Sequence, residues 1–300
     1  MFSVKSTRRE TPVRVLIHGK GGLGKSTFAA NAPRCIFITS EDGLDKIDAL
    51  AVEPFPTTWE QMLAQIDYVG TLDYRSIAID SLDWFEPMCH QYVCTKHRKK
   101  DIEAFGYGKG YVAAVNEWRV MLHKLGNLRA RGMHVILVAH GTRKAFKNPT
   151  GDDFEHYAIK LHEKTAALIK EWCDVVGFCE EDIAVAEING RWKGVSTGRR
   201  VIRTQPNAAY DAKTRYMLPK SIPLDWTSFE RAVQAGSQSP IVRLKADLEA
   251  KLAELGDEEV REKSRLFLLD RGENVAAFTE AILTVDAYLA EVSSERLAAE

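Results

Sequence analysis

The feature that most constrains this chain is an eight-residue stretch, GKGGLGKS, from Gly19 to Ser26. It fits the pattern G-x-x-x-x-G-K-[ST], in which glycines let backbone N–H groups turn toward phosphates and a helix start adds partial positive charge. An apolar run at residues 13–17 precedes the stretch, and a short helical pattern begins at about Lys25. Because the motif requires a strand before it and a helix after it, the sequence predicts a phosphate-binding loop for a nucleoside triphosphate.

The residue types of this loop predict separate roles. The Lys25 ammonium is suited to neutralise the β- and γ-phosphates, and the Ser26 hydroxyl to ligate Mg²⁺. ATP and Mg²⁺ are therefore the predicted cofactors. The predicted nucleotide contacts are Gly19, Lys20, Gly21, Gly22, Leu23, Gly24, Lys25, Ser26 and Thr27.

Short apolar runs recur along the first half of the chain, at residues 35–39, 76–79 and 134–139, separated by helical patterns at 59–69 and 111–130. Continuous apolar strands that alternate with helices are typical of a parallel sheet covered on both faces. The sequence therefore predicts an α/β fold, with a mostly parallel central sheet flanked by helices.

The next part of the chain changes character. Residues 141–157 are polar and predict a long mobile loop. Three further runs, at 183–188, 191–195 and 199–204, predict antiparallel strands, and the Asn189-Gly190 pair predicts a tight turn between the first two.

Composition divides the chain into four predicted parts. Residues 1–11 form an N-terminal arm and residues 12–232 an ATPase domain. Residues 233–240 are a linker by composition, and residues 241–300 form a small helical C-terminal module. Leucines at 244, 248, 252 and 255 supply one face of the first helix of that module.

Charge and cysteine usage indicate which partners and which cellular compartment to expect. The net charge is −1, so a DNA contact would need local basic clusters, and these occur at residues 96–100 and 143–147 and at Arg199, Arg200 and Arg203. Five cysteines spread through apolar stretches indicate reduced thiols. No apolar run approaches the roughly 18 residues of a membrane span. We therefore expect a cytoplasmic protein without membrane contact.

Polar residues follow the predicted strands, where ligand chemistry gathers in an α/β sheet. Asp80 is expected to hold Mg²⁺ if its strand is next to the strand of the phosphate loop. Glu41 is the favoured carboxylate for polarising the attacking water, with Asp42 as the alternative. His140 is predicted to sense the γ-phosphate or to contact the water, and a structural role is its alternative.

This order of motifs resembles the RecA-like ATPase core. The closer similarity is to the phage-encoded RecA-like nucleotide-binding proteins, an AAA-domain family that includes the Sak-type single-strand annealing ATPases. It covers about residues 13–225 and rests on Ser40-Glu41-Asp42-Gly43, Ile79-Asp80-Ser81, Gly106-Tyr107-Gly108-Lys109, Val138-Ala139-His140 and the segment AKTRYMLP at 212–219.

The resemblance implies roles at the nucleotide site. Glu41 would be the general base and Asp80 the Mg²⁺ partner. His140 would couple the γ-phosphate to a DNA-binding loop. That loop would correspond to residues 141–157, whose DNA-binding side chains would be Arg143, Lys144 and Lys147.

The resemblance also implies self-association into a ring or filament. Lys213 and Arg215 match the K-x-R finger that RecA-like subunits insert into a neighbour's site, where such a cation stabilises transition-state charge.

The leading functional prediction is an oligomeric ATPase acting on single-stranded DNA in recombination or annealing, in the bacterial host if the protein is phage-encoded. One alternative is an ATP-dependent replisome partner, loader or scaffold whose C-terminal helices recruit a single-strand-binding or replication protein. Another is a ParA/MinD-type ATPase, because Lys20 fits the phosphate-loop variant with a second lysine. Against that alternative, the second strand ends in Ser40-Glu41 rather than in an aspartate-rich pattern.

Overall fold

The computed structural model describes residues 11–41, 43–146, 152–188, 191–237, 240–272 and 274–299. Several sequence predictions lie outside these residues: nearly all of the N-terminal arm, the alternative carboxylate Asp42, Lys147 and the Asn189-Gly190 turn.

The described chain alternates strands and helices in its first half and is helical at its end. The strands are β1 (Arg14–Gly19), β2 (Cys35–Thr39), β3 (Leu50–Ala51), β4 (Ser76–Asp80), β5 (His134–Phe146), β6 (Phe154–Ile159), β7 (Val175–Ile188), β8 (Arg191–Arg203), β9 (Lys213–Thr214) and β10 (Ser221–Pro223). The helices are α1 (Lys25–Ala30), α2 (Trp59–Val69), α3 (Leu82–Lys96), α4 (Lys109–Ala130), α5 (Glu163–Trp172), α6 (Trp226–Ser237), α7 (Pro240–Leu255), α8 (Glu258–Arg271) and α9 (Val275–Ala299).

The central sheet has the strand order β10-β8-β7-β1-β5-β4-β2-β3. The strands from β7 to β3 in this order are parallel, and β8 and β10 pair antiparallel at one edge. Every residue of β2 and β4 is buried, which explains their continuous apolar sequences, because helices cover both faces. The predicted mostly parallel sheet flanked by helices is confirmed.

Each face of the sheet has its own aromatic core. On one face Trp59 of α2 packs edge-on against Trp118 of α4, with ring centroids 4.9 Å apart. On the other face Phe28 of α1 packs against Trp226 and Phe229 of α6. These two layers fix α1 and α3 at the carboxyl ends of the strands, where the phosphate loop lies.

The predicted long loop at residues 141–157 is wrong for the residues that the structure describes. β5 continues through Phe146 and pairs antiparallel with β6, from Gly141↔Ile159 to Phe146↔Phe154. The prediction failed because ladder hydrogen bonds use the backbone, so a polar, solvent-facing hairpin has none of the apolar signal of a buried strand.

The antiparallel part also differs from the prediction. Two long strands, β7 and β8, replace the separate runs, and their pairing shifts register between Glu181 and Ile183. Helix α3 was not predicted, because its sequence is mixed in polarity and contains Pro87. Its buried positions, among them Leu82, Phe85 and Cys89, do follow helical spacing.

The chain divides into two compact units, Met1–Val233 and Gln234–Glu300. In the second unit α7, α8 and α9 enclose a small apolar cluster that includes Leu248, Leu252 and Phe278. The segment with linker composition is helical as far as Ser237, the last residue of α6. Within the described residues, no helix combines the length and apolar character needed to cross a membrane.

Candidate nucleotide-binding site

The phosphate loop connects β1 to α1 and has the backbone that its glycines permit. Gly22 and Gly24 have φ values of 75° and 97°, in the region that favours glycine. A Cβ on Gly19 would lie 2.3 Å from the carbonyl oxygen of Cys179 in the neighbouring strand β7. Three of the motif's glycines are therefore required by the local geometry.

Lys25 begins α1 and is buried. Its Nζ donates to the carbonyl oxygens of Lys20 at 2.7 Å and Gly19 at 3.3 Å, and forms no ion pair with any described residue. Burial lowers the pKa of Lys25, and nearby acidic groups including Asp80 oppose that shift. A partly desolvated ammonium held only by carbonyl groups is stabilised by an incoming anion, which fits a phosphate ligand.

Ser26 and Asp80 meet directly: the Ser26 hydroxyl donates to Asp80 Oδ2 at 2.6 Å. Asp80 thus lies beside the loop although its strand is not next to that of the loop: β5 lies between β1 and β4 in the sheet. Burial raises the pKa of Asp80 and Glu41 adds to the shift, while Ser26 and Lys25 oppose it. A hydroxyl and a carboxylate oxygen at this spacing are the hard donors that Mg²⁺ prefers, so the residues fit the metal.

Glu41 follows β2 and faces the same cavity. Its backbone N–H donates to Thr39 Oγ1 at 3.2 Å, and its carboxylate accepts a hydrogen bond from the Ser81 hydroxyl at 2.9 Å. Glu41, Asp80 and Lys25 line one cavity of about 340 Å³ together with the phosphate loop. The residue predicted to polarise water thus lines the same cavity as the phosphate loop.

His140 lies beside the loop, in register with Gly19, and a Cβ on Gly21 would be 3.9 Å from its Nε2. Its Nδ1 is 3.0 Å from Asp83 Oδ2, and its backbone N–H donates to Asp83 Oδ1 at 2.9 Å. Lys160 also reaches Asp83, at 3.4 Å. Burial alone would raise the pKa of Asp83, but the contacts with His140 and Lys160 lower it overall.

Asp83 therefore orients His140, and sequence reasoning missed it. The available signal was its position, three residues after Asp80 in the first turn of α3, which places it at the same edge of the sheet.

Arg200 is a second residue that sequence reasoning missed at this site. Its Nη1 donates to the carbonyl oxygen of Leu23 at 3.2 Å, and it lines the same cavity as Lys25. Arg199 instead binds Asp182 at 3.1 Å and Arg203 binds Glu180 at 2.6 Å. Arg199 and Arg203 are therefore paired within the chain. Because side chains alternate along a strand, Arg200 and the adjacent Arg199 lie on opposite sides of β8.

Lys213 lies at the opposite end of the sheet. It is in register with Val176 near the start of β7, roughly 10 Å along the strand from the phosphate loop. Its Nζ donates to the carbonyl oxygens of Lys170, Glu171 and Cys173 at 2.7, 2.9 and 3.0 Å. These bonds satisfy carbonyl groups at the C-terminal end of α5.

Arg215 lies beside Lys213 and binds buried Asp174. Its Nη1 donates to Asp174 Oδ1 at 3.0 Å, and its Nη2 donates to the Glu171 carbonyl at 2.6 Å. Arg14 and Arg129 bind the same carboxylate. The structure therefore does not bring Lys213 or Arg215 to the phosphate loop of their own chain.

The residues predicted to bind DNA after His140 lie on the β5–β6 hairpin. Arg143 is exposed; its Nε donates to the Tyr157 hydroxyl at 3.0 Å and its Nη1 is 3.4 Å from Glu155. Lys144 is exposed on the same strand. The cations are thus presented on a paired strand rather than on a loop.

A parallel sheet with a glycine loop between strand and helix, a buried lysine and a Ser–Asp pair at the strand ends defines a P-loop nucleoside triphosphatase. A family model described as AAA domain matches residues 11–216, more than half of the chain, so the protein belongs to the AAA domain family. The match includes Lys25, Glu41, Asp80 and His140. A search among curated proteins found no match. The chain therefore carries a nucleotide-binding ATPase domain.

Proposed function

We propose that the protein is an Mg²⁺-dependent ATPase that acts on single-stranded DNA in recombination or annealing. The observation that carries the ATPase proposal is the convergence of Lys25, the Ser26–Asp80 pair and Glu41 around one cavity. The DNA part rests on the resemblance to RecA-like annealing ATPases and on the connection from the cavity to the β5–β6 hairpin.

The loop residues are arranged to hold the triphosphate. Gly22, Gly24 and the residues Lys25 to Thr27 line the cavity, so their backbone N–H groups would be available to phosphate oxygens, and Lys25 would exchange its carbonyl contacts for the same oxygens. Ser26 and Asp80 would hold Mg²⁺, which supplies positive charge to the phosphates when bound. Ionised Asp80 is the form that binds a cation, so its raised pKa makes metal binding weaken as the pH falls toward that pKa.

Hydrolysis needs a base near the γ-phosphate, and the position of Glu41 at the cavity supports this role. A water oxygen attacks the γ-phosphorus while the Glu41 carboxylate accepts the water proton. The bond from the γ-phosphorus to the β–γ bridging oxygen breaks, giving the diphosphate and inorganic phosphate. The Ser81 hydroxyl fixes the direction of the Glu41 carboxylate, and Arg200 adds a cation at the loop.

Coupling to DNA is supported by a chain of polar contacts. His140 lies beside Gly21 and binds Asp83, which binds Lys160 just after β6. A change in the contacts of His140 on phosphate binding therefore reaches the hairpin that carries Arg143 and Lys144.

Self-association into a ring or filament is part of the proposal, through the resemblance. A role for Arg215 in a neighbour's site requires it to leave Asp174 and the Glu171 carbonyl. Mixing Arg215→Ala with Lys25→Ala subunits tests this role: a finger acting between subunits makes Arg215→Ala inactive alone and restores activity in the mixture. No gain on mixing assigns Arg215 to the fold of its own chain.

A second candidate function is an ATP-dependent loader or scaffold, favoured by the C-terminal unit. Leu266, Leu269 and Leu283 are more than half exposed on its helices, which suits recruitment of a partner protein. Deleting residues 241–300 separates the candidates: a loader loses its partner while its ATPase activity persists.

ATP hydrolysis measured with and without single-stranded DNA tests the proposed function. Glu41→Gln should retain nucleotide binding but lose roughly 10²–10⁴-fold in turnover. Asp48→Asn, an exposed carboxylate near the site but outside the cavity, is the matched control and should behave as wild type. Single-stranded DNA should increase wild-type turnover. Equal turnover with and without DNA, and no retention of DNA at low salt, would remove the recombination proposal.

A further inference from the structure

An exposed tyrosine lies in the connection between α3 and α4. Tyr107 is fully exposed, and Gly106, Tyr107 and Gly108 have φ values of 70°, 50° and 67°. A positive φ is uncommon for a residue other than glycine, such as Tyr107, whereas the two flanking glycines adopt their own positive φ without strain. The Lys109 N–H donates to the Gly106 carbonyl at 3.1 Å and closes the turn. The backbone therefore holds the aromatic ring in solvent rather than against the core.

Several cations lie near this tyrosine in the sequence. We call residues 96–109 the Tyr107 loop; it contains five Lys or Arg residues and two Asp or Glu residues. Lys96 binds Glu117 at 2.8 Å. The other four cations are exposed and form no ion pair within the part of the chain that the structure describes: Arg98, Lys99, Lys100 and Lys109. A local positive patch thus exists on a chain whose net charge is −1.

The two carboxylates of the Tyr107 loop accept hydrogen bonds from nearby residues. Asp101 accepts a hydrogen bond from the Ala104 N–H at 2.8 Å, and Glu103 accepts one from the Tyr111 hydroxyl. The Lys99 ammonium lies 5.9 Å from the ring centroid of Phe105, two residues before Tyr107. Cations therefore lie on both sides of the exposed ring along the chain, at Lys99 and Lys109.

The Tyr107 loop borders a cavity that leads toward the nucleotide site. This cavity of about 480 Å³ is lined by Lys100 and Ile102 of the loop, by Thr142 of β5, by Lys160 and by Asp83. Asp83 is the carboxylate that orients His140 beside the phosphate loop. A ligand on the Tyr107 loop would therefore lie across one cavity from the polar contacts of the nucleotide site.

We infer that the Tyr107 loop binds single-stranded nucleic acid, with a base stacked on Tyr107 and phosphates on the exposed cations of the loop. A single strand offers unstacked bases to an aromatic ring, which a duplex does not. Four exposed cations without carboxylate partners favour a polyanion over an apolar protein surface. This inference rests on the proposed function, and it places a nucleic-acid contact outside the β5–β6 hairpin.

Binding of a fluorescein-labelled oligodeoxythymidylate, followed by anisotropy on the full chain, tests the inference. Tyr107→Ala should weaken binding roughly 5- to 150-fold, the effect of losing one base–aromatic stack, and Tyr107→Phe should retain wild-type affinity. Tyr68→Ala removes a half-exposed tyrosine from α2 and should bind as wild type. An oligouridylate of equal length shows whether the loop prefers DNA or RNA.

The salt dependence of binding tests the role of the cations. Replacing Lys99 and Lys100 together by alanine should lower the slope of log affinity against log salt by roughly 1.4, about 0.7 for each lost phosphate contact. Wild-type protein that binds no oligonucleotide at low salt overturns the nucleic-acid part of the proposed function together with this inference. Wild-type binding that Tyr107→Ala leaves unchanged overturns the inference alone.

Discussion

At the carboxyl ends of β1 and β4, Lys25 and Asp80 are buried beside a cavity that no described side chain fills. At the amino ends of β1 and β7, by contrast, Asp174 is buried against three arginines that use both of its carboxylate oxygens. Both ends concentrate charge. One end leaves its buried charges ready for a ligand, and the other pairs its buried carboxylate within the chain.

Two motifs that look alike in the sequence have different surroundings in the structure. The glycine-lysine loop and the K-x-R pair are both short cationic patterns. Lys25 is held by carbonyl groups beside the cavity, which a phosphate can replace. Lys213 instead caps the C-terminal end of α5, and Arg215 binds Asp174. A cation that faces a cavity indicates a binding site, and a cation saturated by its own chain indicates a structural role.

The largest effect is expected from Asp174→Ala. The substitution leaves Arg14, Arg129 and Arg215 without their shared carboxylate, which should lower the free energy of unfolding by about 3–5 kcal/mol. Urea unfolding measures it. Asp73→Ala removes a mostly exposed pair with Arg34 and should cost less than about 1 kcal/mol. Equal losses of unfolding free energy in the two variants would mean that the buried Asp174 cluster stabilises the fold no more than an exposed ion pair. The contrast between the two ends of the sheet would then be lost.

His18 gives a pH test of the nucleotide end. Burial lowers the pKa of His18 to about 4, below its ordinary 6.5, and its Nε2 lies 2.7 Å from the Asp211 carbonyl oxygen. The unfolded chain therefore binds more protons between these two values. The contribution of His18 to the free energy of unfolding is fully present above about pH 6.5. It decreases by up to about 3 kcal/mol as the pH falls toward 4.

The measurement is urea unfolding across that pH range for wild type and His18→Gln. The variant should show a smaller decrease between pH 6.5 and 4, whatever its stability at neutral pH. His123→Gln on the exposed side of α4 is the control. A His18→Gln profile parallel to wild type would show that the buried imidazole is not the group responsible.

A smaller effect is expected from Arg200→Ala. Losing a charged donor beside the phosphate loop should weaken binding of a fluorescent ATP analogue about tenfold. Arg199→Ala is the matched control, because the adjacent arginine binds Asp182 and does not line the cavity. Equal weakening by both variants would indicate a general charge effect and exclude a specific role for Arg200.

The sequence predicted the phosphate loop because its residues are contiguous and its conformation depends on local glycines. It predicted Glu41 and Asp80 because each follows a buried strand. Asp83 and Arg200 were missed because their positions depend on which strands pair and in what register. The β5–β6 hairpin was missed because its polar strands show no apolar period.

The contrast between the two ends of the sheet is tested most directly by measuring turnover and unfolding free energy for Lys25→Ala and Arg215→Ala. Lys25→Ala should lose roughly 10²–10³-fold in ATP turnover without losing stability, because it removes a partly desolvated cation. Lys20→Ala should retain turnover. A loss of turnover in Lys20→Ala would favour the ParA/MinD-type alternative. Arg215→Ala should lose about 1–3 kcal/mol of stability while its folded fraction keeps turnover. Full stability with abolished turnover in Arg215→Ala would contradict this account.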